Sequence, residues 1–144
     1  MATVKDVLAR KSREIVSLPP TATVLEAANL MNERGIGGVP VIDQDRMVGI
    51  FTERDILRRV VSAARDPAAT RLAEVMTSPV VTAKPDMPLD QCAALLTNRR
   101  IRHLPIGDER GLAGLITIGD VLAFQVDDQQ TTIEHLQHFI YDNR

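Results

Sequence analysis

The sequence predicts an α/β (α+β) protein built from two tandem copies of one small unit, and three observations carry that prediction. The stretch Gly49-Ile50-Phe51-Thr52-Glu53-Arg54-Asp55 returns as Gly114-Leu115-Ile116-Thr117-Ile118-Gly119-Asp120, an offset of 65 residues from Thr52 to Thr117. The register holds without a gap from Pro20/Pro85 to Leu57/Leu122, with identical pairs at Ala28/Ala93, Arg34/Arg99, Ile36/Ile101, Pro40/Pro105 and Asp43/Asp108. Within each copy, helical periodicity alternates with short apolar runs bounded by turn residues.

Composition bounds the reading. At 144 residues, 44% hydrophobic and 25% charged, the chain is in the ordinary globular range, and one core shared by the two halves is expected. A net charge of −2 gives no general attraction to nucleic acid or an acidic membrane, and 3% aromatic content removes most stacking platforms for single strands. No stretch is long and apolar enough to span a bilayer, so a cytoplasmic, reducing location is expected. The lone Cys92 cannot form an internal disulfide and falls in register with Ala27, as a small core residue.

Residues 3–10 predict a short helix, with Thr3 as N-cap and Val4, Val7 and Leu8 on one face. Its counterpart, Arg71–Met76, stands at offset 68 from Val7 to Val75, which puts three extra residues in the first copy within Ala9–Glu14. Ile15–Leu18 and Val80–Ala83 predict short strands before Pro-bearing turns. Thr23-Val24-Leu25-Glu26 is a capping box opening a helix that Gly35 ends, and Leu89–Arg99 repeats it with Pro88 in the first turn. Two hairpins follow: Gly38–Ile42 with Arg46–Phe51, and His103–Ile106 with Leu112–Ile116. Pro40 and Pro105 place their strands at an edge or a bulge, with backbone groups left free there. After each Thr-x-x-Asp corner a helix runs on, through Asp55–Ala64 and Asp120–Val126. Each unit thus runs helix, strand, helix, strand, strand, helix, and the division is 1–64, a linker at 65–70, 71–126, and a tail at 127–144. The tail carries an amphipathic helix with Ile133, Leu136, Phe139 and Ile140 on one side, docked on a partner subunit or on its own domain.

This order of elements, with Gly-hydrophobic-hydrophobic-Thr-x-x-Asp duplicated in tandem, resembles a pair of cystathionine β-synthase (CBS) domains over residues 3–126. No catalytic domain is left over, so the chain resembles a small stand-alone bacterial CBS-pair protein; Arg100–Pro105 and the C-terminal Thr132–Ile140 are similar to such members as well. The resemblance implies two units of β-α-β-β-α core about a pseudo-two-fold axis, plus the extra C-terminal helix. It also implies two clefts between the units that bind adenosine-containing ligands such as AMP, ADP, ATP, NAD or S-adenosylmethionine, and association into a homodimer.

The residue types suit such a ligand. An ionised Asp55 or Asp120 accepts from both hydroxyls of a ribose. Thr52 and Thr117 open helices where a hydroxyl and free backbone donors favour phosphate. The resemblance implies that adenine lies near Ile15-Val16 and near Ser78, Val80 and Val81. The same Thr-x-x-Asp pattern is also an ordinary N-cap with an acidic first turn, and duplication within a CBS-like frame is what favours a binding role. Arg102 and His103 align with Gly37 and Gly38, so the second unit alone brings a cation and an imidazole to its middle strand. They are expected to face a phosphate, helped by Arg99 or Arg100, while only the first corner carries Glu53 and Arg54. Asp120→Ala is therefore expected to weaken phosphorylated adenosines more than Asp55→Ala.

Other candidates are weaker. Arg58, Arg59 and Arg65 read as a solvated face. His135 and His138 are three apart on a helix but lack a supporting ligand cluster, so no metal is expected. No nucleophilic triad, phosphate loop or Gly-x-Gly-x-x-Gly is present. The expected function is a non-enzymatic adenine-nucleotide sensor read by an unidentified regulated protein. The alternatives are a ligand-free interaction scaffold and, behind it, a nucleotide-processing enzyme.

Overall fold

A computed structural model describes residues 2–11, 15–108 and 111–142. The order is α1 (Val4–Arg10), α2 (Val24–Arg34), β1 (Gly38–Asp43), β2 (Arg46–Thr52), α3 (Glu53–Asp55, running on as a π-helical stretch Ile56–Val61), α4 (Leu72–Val75), α5 (Leu89–Asn98), β3 (His103–Asp108), β4 (Gly111–Thr117) and α6 (Ile118–Asp142).

Local chemistry accounts for these boundaries. The Thr23 hydroxyl accepts from Glu26 N–H at 3.1 Å and the Glu26 carboxylate accepts from Thr23 N–H at 3.3 Å, as a capping box requires. Gly35 ends α2 with φ 64°; Arg100, its equivalent at offset 65, takes the same left-handed region at φ 53°. Gln44 and Asp45, with φ of 48° and 64°, make the two-residue mirror-image turn that suits the twist of the β1–β2 hairpin. The tip of the matching β3–β4 turn, Glu109-Arg110, lies outside the described residues, as do Ser12–Glu14 of the expected insertion.

Each hairpin is a two-stranded antiparallel sheet. The strands expected at Ile15–Leu18 and Val80–Ala83 contract to one bridging residue each. Leu18 pairs in parallel with Val41, donating to Pro40 O and accepting from Ile42 N–H; Ala83 does the same between Pro105 and Gly107. Proline offers a carbonyl but no N–H, and the ladder shifts register just after Val41 and just after Ile106, so pairing cannot extend. The carbonyls of Pro40 and Pro105 are thereby taken, and the expected free edge is absent at these two residues.

Two buried clusters replace the single expected core, and each borrows a helix from the other half of the sequence. Val24, Ala27, Val39, Val41, Phe51 and Val60 enclose Leu72 and Val75 of α4. Leu89, Cys92, Leu96, Leu104, Ile116 and Val121 enclose Val4 and Val7 of α1. Backbone bonds fix the exchange: Val4 N–H to Met87 O and Lys5 N–H to Pro85 O, with Leu72 N–H to Ala22 O and Ala73 N–H to Pro20 O.

The C-terminal helix is not a separate element. Asp127-Asp128-Gln129-Gln130 contains no Gly or Pro, and α6 runs unbroken through it to Asp142. Ile133 and Leu136 are exposed; the side chains of His135, His138, Phe139 and Ile140, singled out in the sequence, lie outside the described ones. No helix among the described residues is long and apolar enough to cross a membrane.

Candidate functional site

Both Thr-x-x-Asp corners are formed, and each is a working helix start. Thr52 N–H and hydroxyl donate to Asp55 Oδ2 at 3.0 and 3.3 Å. Thr117 N–H donates to Asp120 Oδ2 at 2.9 Å, while Asp120 N–H donates to the Thr117 hydroxyl at 3.1 Å. Capping thus explains the Thr and the Asp without a ligand; what surrounds each carboxylate is what separates the two corners.

The strand before each corner carries a glycine because a leading helix crosses it. A Cβ built on Gly49 would lie 2.5 Å from Met76 Sδ, and one on Gly114 would lie 2.6 Å from Leu8 Cδ2. Met76 and Leu8 are equivalent at offset 68, so the residues that follow α4 and α1 are delivered to equivalent places beside the two corners.

What those segments deliver differs. In the first cleft, of about 460 Å³, Thr77 is fastened to Ile50 by a pair of backbone bonds, and its hydroxyl donates to Asp55 Oδ1 at 2.9 Å. Arg59 Nε stands 3.7 Å from the same oxygen, while its Nη1 donates to Met76 O at 2.9 Å. Asp55 is therefore buried and fully engaged by the fold. In the second, the Lys11 side chain alone bridges the strand and the carboxylate. Its ammonium donates to Leu115 O at 2.7 Å, where Leu115 is the equivalent of Ile50, and to Asp120 Oδ2 at 2.7 Å. The Asp120 side chain is 25% exposed against 6% for Asp55. Burial alone would raise the Asp120 carboxyl pKa, but the Lys11 ammonium and the Thr117 N–H outweigh it and hold it below the ordinary 3.8.

Two recesses meet at Lys11, and Asp120 lines the larger of them. One recess, about 450 Å³, runs from Asp120 and Thr117 past Lys11 and Arg10 to Gly37 and His103. The other, about 250 Å³, is walled by Ile15, Val16, Ile36, Pro40 and Leu115 and shares Lys11 with the first. Arg10 is held over the Phe124 ring at 4.5 Å, with Asp127 at 3.7 Å.

Several sequence expectations land elsewhere. Arg102 lines the cleft of Thr52 and Asp55, not that of Asp120, because the pseudo-two-fold sets the start of β3 opposite the first corner. His103 sits on the seam and borders both clefts. A Cβ on Gly37 would be 3.2 Å from its Nε2 and 3.2 Å from Glu53 Oε1, so no side chain larger than glycine's fits there without movement. Burial pushes the His103 pKa down, Glu53 pulls it up, and Lys11 and Arg102 push it down further. Arg54 donates to Arg100 O at 3.2 Å, tying the two halves together. Ile15 and Val16 wall the smaller recess that meets the Asp120 cleft at Lys11, whereas Ser78, Val80 and Val81 do not line the first cleft, where Thr77 stands instead. Arg59 and Arg65 are not simply solvated: Arg59 holds the end of α4, and Arg65 pairs with Glu74 at 2.6 Å. Thr77 and Lys11 were missed by the sequence reading, although the offset of 68 rather than 65 flagged the segment that holds Lys11.

The CBS domain family matches residues 4–62 and 72–127. The CBS domain-containing protein YhcV of Bacillus subtilis is 33% identical over 140 residues, covering 94% of this chain and 97% of its own length. A solved CBS-domain protein of Burkholderia ambifaria is 41% identical with a TM-score of 0.84, covering 89% of this chain and 96% of that one. The CBS domain pair of protein MJ0100, solved with 5′-methylthioadenosine and S-adenosylmethionine, is 26% identical with a TM-score of 0.77, covering 89% and 98%.

Proposed function

The chain belongs to the CBS-domain family and carries two copies of that domain, and from this premise we propose that it is a non-enzymatic sensor of adenosine-containing ligands. The ligand class is AMP, ADP, ATP, NAD or S-adenosylmethionine, bound between the units, and no metal is required. The Asp120 cleft is its principal site. The observation that carries this choice is the contrast between the two carboxylates: beyond its helix-start bonds, Asp55 is locked by Thr77 and Arg59, whereas Asp120 is held by the Lys11 side chain, which also borders the recess of Ile15 and Val16. A ribose placed on Asp120 directs its base toward Ile15 and Val16 and its 5′ substituent toward Thr117, Lys11 and His103. In the first cleft Thr52, Arg54 and Arg102 form a secondary, cationic site. A relative solved with adenosine compounds in the same fold supports the ligand class.

Signalling requires that ligand favour one conformation over another. The seam at Gly37 and His103, where the halves touch, is the element such a bias acts on. Exposed Leu57 and Val61 on α3 are matched at offset 65 by exposed Leu122 and Val126 on α6, and this twin apolar face supports a homodimer whose geometry a regulated protein reads.

A second reading is favoured by one observation: every buried side-chain polar atom among the described residues is satisfied without ligand, as in a scaffold that has lost its site. Thermal shift with AMP, ATP, NAD and S-adenosylmethionine separates the two. Ligand at one hundred times its dissociation constant stabilises by about 2.7 kcal/mol. A rise of several degrees with at least one compound supports the sensor; none with any supports the scaffold.

A further inference from the structure

Building on the proposed adenosine site, we infer that Lys11 is its specificity-determining residue and restricts the Asp120 cleft to adenosine 5′-phosphates. Three observations converge on it. Lys11 caps the end of α1, its N–H bonded to Val7 O and Leu8 O, so its backbone is anchored and its side chain alone reaches across to Asp120. Its ammonium occupies the edge of β4 and Asp120 as Thr77 occupies the edge of β2 and Asp55. It lines both the recess that runs from Asp120 to His103 and the adjoining one walled by Ile15 and Val16.

Lys11 neutralises Asp120 at 2.7 Å. A ribose that takes the carboxylate with its two hydroxyls displaces the ammonium, and a displaced ammonium in a half-buried cleft needs a new anion. A 5′-phosphate supplies that anion within reach of a lysine stem that keeps hold of Leu115 O. A free nucleoside offers only a neutral hydroxyl, and a sulfonium at the 5′ position adds a further cation beside Lys11 and Arg10. Thr77, which carries no charge, imposes no such condition on the first cleft.

The test is calorimetric titration of the full chain with AMP, adenosine and S-adenosylmethionine, in wild type, Lys11→Met, Lys11→Gln and Lys11→Arg. Wild type is expected to bind AMP at least about tenfold more tightly than adenosine, the scale of one charge-assisted hydrogen bond. Lys11→Met and Lys11→Gln are expected to weaken AMP and tighten adenosine and S-adenosylmethionine, moving the ligands in opposite directions, and Lys11→Arg to keep the wild-type order. An unchanged AMP-to-adenosine ratio in both uncharged variants, or equal losses for every ligand, overturns the inference while leaving the adenosine site standing. If wild type binds none of the three compounds and neither ATP nor NAD, the adenosine site falls and this inference with it.

Discussion

The Thr77 hydroxyl donates a 2.9 Å hydrogen bond to Asp55 Oδ1, closing the first corner from within the fold. Its partner residue is buried, and the Thr52 N–H depends on the same carboxylate. Asp55→Ala therefore strands a donor at the helix start and removes the side-chain anchor of the segment after α4, leaving its backbone bonds to Ile50. We expect a loss of about 1–3 kcal/mol in urea unfolding, with AMP affinity changed less than threefold. A variant as stable as wild type would show that Asp55 is not part of the scaffold.

His103 predicts proton-linked binding. Because burial, together with Lys11 and Arg102, lowers its pKa in the folded protein, it binds a proton less readily than in the unfolded chain. Its contribution to stability therefore declines as pH falls below about 6.5. A phosphate lodged beside it raises its pKa again, so affinity for AMP should rise on acidification through the same window. Calorimetry near pH 6 in buffers of different ionisation enthalpy should show proton uptake beyond that of His103→Gln. Equal uptake in the two proteins removes His103 from the phosphate.

The Lys11–Asp120 pair predicts the shape of the acid limb. The Asp120 pKa is lowered on folding, so its stabilisation is fully present above about 3.8 and is lost as pH falls through the lower folded value. Lys11→Met leaves only the Thr117 bonds to offset burial at that carboxyl and should be less stable than wild type near pH 7. The gap between the two should close toward pH 3, measured as urea midpoints. A gap that stays constant with pH would assign the loss to packing instead.

The twin apolar face predicts a dimer that charge can break. Val61→Glu combined with Val126→Glu places four carboxylates across the proposed interface of two subunits. Sedimentation velocity should show wild type as a dimer and the variant as a folded monomer. Identical sedimentation of the two proteins would place any interface elsewhere.

Much of the fold was legible because the repeat carries local rules twice. The Thr23–Glu26 capping box, the Gly35 stop, the two hairpins and both corners all follow from residues within a few positions of each other. What failed was long-range. Alignment at offset 65 sets equivalent residues side by side, but the pseudo-two-fold makes residues of one copy face non-equivalent residues of the other, so Arg102 meets Thr52 rather than Thr117. The exchange of α1 and α4 was hidden for a related reason: Val4 and Val7 carry the same apolar pattern as Leu72 and Val75, so periodicity does not say which core each helix joins. Nothing local in the sequence singles out Lys11, and only the tertiary fold brings it to Asp120, 109 positions along the chain.

The claim that the Asp120 cleft is the ligand site is tested most directly by calorimetric titration of AMP into wild type, Asp55→Ala and Asp120→Ala. The account predicts saturable binding in wild type, near-wild-type affinity in Asp55→Ala, and a loss of at least about tenfold in Asp120→Ala, where two ribose hydroxyls lose their charged acceptor. Equal losses in the two variants, or AMP binding undiminished in Asp120→Ala, would contradict it.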